Sequence, residues 1–168
     1  MKKAFTMIEL VFVIVILGVL AGVAVPKLMG TRNDAKIAVL KSTIQEIRKG
    51  IEAYAGNQII VKGVKEYPNT LCDDKNLDSA NKCNFKSGML FGNVLNTTIP
   101  SGKGKDWNGF TSGVEGEVFL YYPDSKNNKK AYAFQYIDGE FNCLDKMHKF
   151  SGVIKCSTIG EIAKPEVR

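Results

Sequence analysis

Hydrophobic positions change rhythm three times along this chain. Residues 5–25 form a run of 21 positions in which Thr6 and Glu9 are the only polar side chains. As a helix such a run is about 32 Å long, enough to cross a hydrocarbon core of about 30 Å. From Ile37 the apolar residues fall at spacings of three and four, at Leu40, Ile44, Ile47, Ile51 and Tyr54, with Lys41, Gln45, Glu46, Arg48 and Lys49 between them. That is one apolar stripe on a helix, expected to bury against a sheet and to stop at Gly56-Asn57. Residues 57–116 are rich in Gly, Asn, Lys and Ser and keep no sustained period, so they read as a connection with one or two short elements. Trp107 and Phe110 are expected to cap the core there.

The last third reads as sheet. Residues 117–122 are strand-rich, and Pro123-Asp124-Ser125 turns the chain. Residues 131–137 alternate, with Tyr132, Phe134 and Tyr136 on one face. Asp138-Gly139 is a two-residue hairpin signal, returning residues 140–144 antiparallel, and residues 152–157 are expected as a fourth strand. The fold class is therefore α+β: a long N-terminal helix, half membrane-type and half amphipathic, packed on a small C-terminal antiparallel sheet.

Composition adds a compartment. Cys72, Cys83, Cys143 and Cys156 all follow the apolar run. An even cysteine count downstream of an export or membrane signal points to disulfides. Of the three connectivities, the sequence-local one is expected, Cys72–Cys83 with Cys143–Cys156. Zinc is the competing reading, disfavoured because no tight pair such as CxxC is present. A bridge between Cys143 and Cys156 would contribute about 3 kcal/mol by restricting the unfolded chain. The net charge of +6 is compatible with a nucleic acid or an anionic surface.

Lys2 and Lys3 before the apolar run hold the N-terminus in the cytoplasm and direct the rest outward. Three readings compete for the run. It is a signal peptide cut near Gly22-Val23-Ala24, a plain anchor, or an anchor with an assembly role. Glu9 decides. A carboxylate costs about 2.5–3.5 kcal/mol at mid-bilayer and less near the interface, and neither a discarded signal nor a passive anchor gains from it. A partner appears if the chain is cut between Ala4 and Phe5. The new amine of Phe5 in one subunit then meets Glu9 of another, which offsets much of the cost of two separate charges and sets the axial register. Gly18, Gly22 and Pro26 mark a weak point in the same helix.

Ala4-Phe5-Thr6-Met7-Ile8-Glu9-Leu10 resembles the cleavage and methylation motif of type IV pilins and type II secretion pseudopilins. The resemblance covers about the first 30 residues. It implies a basic leader, residues 1–4, removed by a prepilin peptidase. It also implies N-methylation of Phe5 and an assembly role for Glu9, the fifth mature residue. The family prefers Gly before the cut, where this chain has Ala4, which is still small. The mature organisation is then an assembly helix (5–25), an amphipathic helix (26–56) and a periplasmic head (57–168). Localisation is to the inner membrane, single-pass, and then to a filament of like subunits and other pilins or pseudopilins, with DNA or a secreted protein as cargo. The rival is a secreted, disulfide-stapled binding domain. No catalytic motif appears, and His148, the only histidine, sits among charged residues. No cofactor is expected. Major pseudopilins carry a calcium loop, and Asp124, Asp138 and Asp145 do not match it, so calcium stays open and unassigned.

Overall fold

The computed structural model describes residues 6–72, 88–110 and 116–167. One α-helix, α1 (Met7–Lys62), opens the chain. Among the described residues seven strands follow: β1 (Met89–Leu90), β2 (Ile99–Pro100), β3 (Trp107–Phe110), β4 (Glu117–Tyr121), β5 (Tyr132–Ile137), β6 (Glu140–Leu144) and β7 (Ala163–Lys164). Strands β1 and β2 pair with each other, and β3 to β7 form a five-stranded sheet in chain order. The chain divides into two compact units, residues 1–39 and 40–168, with α1 contributing to each.

In the second unit, Leu40, Ile44, Ile47 and Ile51 of the expected stripe are buried, Tyr54 is half-buried, and Ala55, outside the stripe, is buried as well. Arg48, on the same stretch of helix, fastens it to the sheet. Its Nε and Nη2 donate to the Phe141 carbonyl at 3.1 and 3.0 Å, and its guanidinium pairs with both carboxylate oxygens of Glu161 at 3.0 and 2.7 Å. Between helix and sheet lies an aromatic cluster. Phe91 meets Trp107, Phe119 and Phe141 with ring centroids 5.3, 4.8 and 6.0 Å apart. Phe134 stacks on Phe141 at 5.2 Å. Trp107 is therefore core, as expected.

The helix runs past the expected stop at Gly56-Asn57 and ends at Lys62. Gly63 is the true terminator: its φ is +75°, and its N–H donates to the Ile59 carbonyl at 2.9 Å. A glycine inside a helix only weakens it, whereas a glycine in the left-handed region closes the last turn.

The hairpin is where its sequence places it. Asp138 and Gly139 take φ of +49° and +85° and join β5 to β6 in register Ile137↔Glu140. Both faces of β5 are buried, however, not only the Tyr132, Phe134 and Tyr136 face. Val118, Leu120, Tyr122, Ala131, Ala133, Leu144 and Met147 form a second small core on the opposite face, with Phe150 and Val153 against it. On that face Gln135 uses both ends of its amide to hold the backbone of Val167, at 2.8 and 3.0 Å.

The strand expected over residues 152–157 does not form. Val153 makes a single parallel bridge to Ala131, and Cys156–Ile159 is a 3-10 helix. The fifth strand is instead β7, which pairs parallel to β6. The sheet is antiparallel from β3 to β6 and parallel only at that edge. A bridge between Cys143 and Cys156, with Cα atoms 6.0 Å apart, ties β6 to the 3-10 helix. The Asp145 carboxylate accepts from the Cys156 N–H at 2.7 Å beside it. Side chains cross-linked and capped this way favour a tight turn over an extended run. Cys72 is also disulfide-bonded, while Cys83 lies outside the described residues.

One buried acid stands out at the start of β4. Glu117 accepts from the Thr70 hydroxyl at 2.5 Å and from the Leu71 N–H at 2.8 Å. Burial pushes its carboxyl above the ordinary range, against the two donors that favour the charged form. A group with a raised folded pKa contributes stability that is complete below its unfolded pKa, about 4.3, and is lost as pH rises through the folded value. Glu117→Gln keeps an acceptor for Leu71 and removes the charge. Relative to this variant, the native protein is expected to gain stability on acidification from neutrality. Urea midpoints measured at both pH values check this, and parallel behaviour of the two proteins would exclude a raised Glu117.

Candidate assembly site at the start of the first helix

Thr6 and Glu9 build the N-terminus of α1. The Thr6 hydroxyl accepts from the Glu9 N–H at 3.3 Å, and a Glu9 carboxylate oxygen reaches back to the Thr6 N–H at 2.9 Å and to its hydroxyl at 2.8 Å. This is a reciprocal capping box. Two backbone donors that a helix start leaves orphaned are satisfied by the chain itself. The negative side chain also lies at the positive end of the helix dipole. The signal was present in the sequence as Thr6-Met7-Ile8-Glu9 ahead of an apolar run, yet reasoning from membrane cost alone passes over Thr6.

The cap does two things for Glu9. It places the carboxylate at the extreme end of the helix instead of one turn inside it. It also gives the charge hydrogen-bond donors before any partner arrives. Ala4 and Phe5, the expected cleavage and methylation positions, lie outside the described residues.

Beyond the cap the helix is greasy on all sides. Its large apolar side chains from Met7 to Val23 are 43–82% exposed. Met7–Ala24 is, among the described residues, the one helical stretch long and apolar enough to cross a membrane. An all-round apolar helix must be covered by lipid or by other helices. Gly18 and Gly22 face open space, with nothing within 4 Å of an added Cβ. Helix α1 continues through Gly18, Gly22 and Pro26 as one element.

Residues 1–25 match the prokaryotic N-terminal methylation motif. The chain is also similar to the type II secretion system core protein G of Pseudomonas aeruginosa. The two are 40% identical over 53 residues, which is 32% of this chain and 37% of the relative. The chain thus spans little more than a third of the length of the curated relative it matches. No solved structure matches it.

Among the described residues no group of three or more His, Cys, Asp or Glu side chains is placed to hold a metal ion. Asp124 caps its own turn through the Lys126 N–H at 3.1 Å, and Asp138 sits in the β5–β6 hairpin.

Proposed function

We propose that this chain is a prepilin or pseudopilin. It is a structural subunit, cut between Ala4 and Phe5 by a prepilin peptidase, N-methylated on Phe5, and polymerised through α1 into a type II secretion-like or type IV pilus-like filament. Before assembly it is a single-pass inner-membrane protein with a cytoplasmic N-terminus and a periplasmic head. The filament acts in protein secretion or DNA uptake. The observation that carries this reading is the capped carboxylate of Glu9 at the head of an otherwise uncovered apolar helix. A passive anchor needs the apolar length but not the acid.

In this mechanism the Phe5 ammonium of one subunit takes the place of Thr6 as the partner of a neighbour's Glu9. Apolar side chains from Met7 to Val23 exchange lipid for other helices, so assembly replaces one greasy environment by another and the charge pair fixes the register. The Cys143–Cys156 bridge suits a head that folds in an oxidising compartment.

The test is the intact mass of the protein extracted from its native membrane. A mature chain that starts at Phe5 and carries one N-methyl group is expected. A chain starting near Val25 would instead establish the secreted binding domain, and an unprocessed Met1 start would remove the assembly mechanism.

A further inference from the structure

The excess positive charge of this protein is gathered at one place. Residues 122–130 and 145–156 carry six lysines, at positions 126, 129, 130, 146, 149 and 155, and two carboxylates, Asp124 and Asp145. The remaining sequence holds 17 basic and 15 acidic residues, and Lys2 and Lys3 account for that difference. The fold brings the two segments together. Ala131 bridges Val153, its N–H donates to the Gly152 carbonyl at 3.0 Å, and its carbonyl accepts from Ile154 N–H at 2.8 Å. Gly152 permits the approach, since a Cβ there would lie 1.9 Å from the Lys129 carbonyl oxygen. Lys129 and Lys130 thus enter this junction and Lys155 leaves it. Lys146 and Lys149 flank Met147 and Phe150, which pack beneath. All six lysines are exposed. Asp145 is engaged with Cys156 N–H and Asp124 with its own turn, and Glu166 reaches His148 N–H from the tail at 3.0 Å.

We infer that this lysine patch binds double-stranded nucleic acid through its phosphates, without reading sequence. Three features favour that partner. First, no large apolar side chain is exposed between residues 122 and 160, whereas a surface that docks on lipid inserts apolar groups beside its basic ones. Second, the cations are all lysines, which bind phosphate as point charges without the bidentate geometry of an arginine fork, and this suits contact with a backbone that is not read for sequence. Third, the aromatics of the region, Tyr122 and Phe150, are spent on each other in an edge-to-face contact at 6.3 Å. They offer no platform on which unpaired bases could stack. The inference deepens the nucleic-acid branch of the function proposed above. It can fail without that reading failing, because its assay is indifferent to cleavage, methylation and filament growth.

The experiment is fluorescence anisotropy of a labelled mixed-sequence duplex of about 30 bp with the full-length chain in non-ionic detergent. Four phosphate contacts predict a slope of log affinity against log salt near −3.6, or roughly a 100-fold loss between about 50 and 200 mM salt. The triple variant Lys126→Gln, Lys129→Gln, Lys130→Gln is expected to weaken binding at least about tenfold and to make the slope shallower by about two. The pair Lys146→Gln, Lys155→Gln should do the same to a lesser degree. Lys41→Gln with Lys49→Gln, exposed lysines on α1, should change little. No binding by the native chain at about 50 mM salt would overturn the inference. So would an equal loss in the Lys41/Lys49 control, which would reduce the effect to net charge. Phosphatidylcholine vesicles made anionic with about 30% phosphatidylglycerol that compete as well as the duplex at equal phosphate would assign the patch to lipid instead.

Discussion

Replacing Glu9 with alanine is expected to leave the chain in the membrane and to abolish filaments. Insertion does not suffer, because removing a carboxylate from an apolar run lowers the cost of burying it. Loss of the Thr6–Glu9 cap costs the helix start about 0.5–2 kcal/mol, which frays a terminal turn and no more. Assembly is different. Without Glu9 each added subunit buries the Phe5 ammonium with no counter-charge, and breaking one side of a buried pair costs about 3–5 kcal/mol. At about 1.4 kcal/mol per factor of ten, that weakens every addition by about 100-fold or more. Thr6→Val separates the two roles of the acid. It removes the hydroxyl that caps the helix and keeps the carboxylate, so it should slow or soften assembly without ending it. The measurement is the fraction of subunit in sheared fibres beside the fraction in the membrane. Normal fibres from the alanine variant would dispose of the charge pair. Disappearance of the protein from the membrane would give Glu9 a part in insertion.

Gly50→Ala is expected to cost the head about 2–3 kcal/mol, although alanine is the better helix former by about 1 kcal/mol. A Cβ on Gly50 would sit 2.0 Å from the Val94 carbonyl oxygen, 2.8 Å from its carbon and 3.0 Å from the Val94 Cβ. The obstacle is backbone and cannot swing aside. It is also held in place: Phe91, fully buried with φ +64°, starts a turn closed by Val94 and Leu95 N–H groups donating to its carbonyl at 3.1 and 2.8 Å. Moving Val94 therefore means moving Phe91, the hub of the aromatic cluster. Gly56→Ala is the internal control. Nothing lies within 4 Å of an added Cβ there, so the same substitution in the same helix should stabilise by about 0.5–1 kcal/mol. Thermal unfolding should show opposite shifts, a fall of roughly 5–10 °C for Gly50→Ala and a small rise for Gly56→Ala. A rise for both would mean that the helix and the 91–95 turn are not in the contact described.

These two glycines show where sequence reading stops. Both look like helix breakers in one dimension. Neither breaks α1, and what separates them is a carbonyl 44 residues away along the chain. The same holds for Glu117, a charged residue in a strand-like run. Nothing local announces that Thr70 and Leu71 will close over it. Arg48 reads as the polar side of an amphipathic helix, yet its partners are Phe141 and Glu161.

Local pattern was sufficient wherever the physics is local. The apolar length of residues 5–25 and the stripe from Leu40 to Ile51 follow from periods that a helix enforces. The β5–β6 hairpin follows from two residues that tolerate positive φ. The bridge between Cys143 and Cys156 was read correctly because the two are close in sequence, and the match to the N-terminal methylation motif was legible in seven consecutive residues. Tertiary structure alone decided the rest. It carried α1 through Gly56 to Lys62, with Gly63 closing the last turn in the left-handed region. It turned the expected strand at residues 152–157 into a 3-10 helix and handed the sheet edge to Ala163–Lys164, since a disulfide and an aspartate cap hold Cys156 in a turn. Propensity and period act over a few residues, whereas burial, edge pairing and close backbone approach depend on which distant segment fills the space.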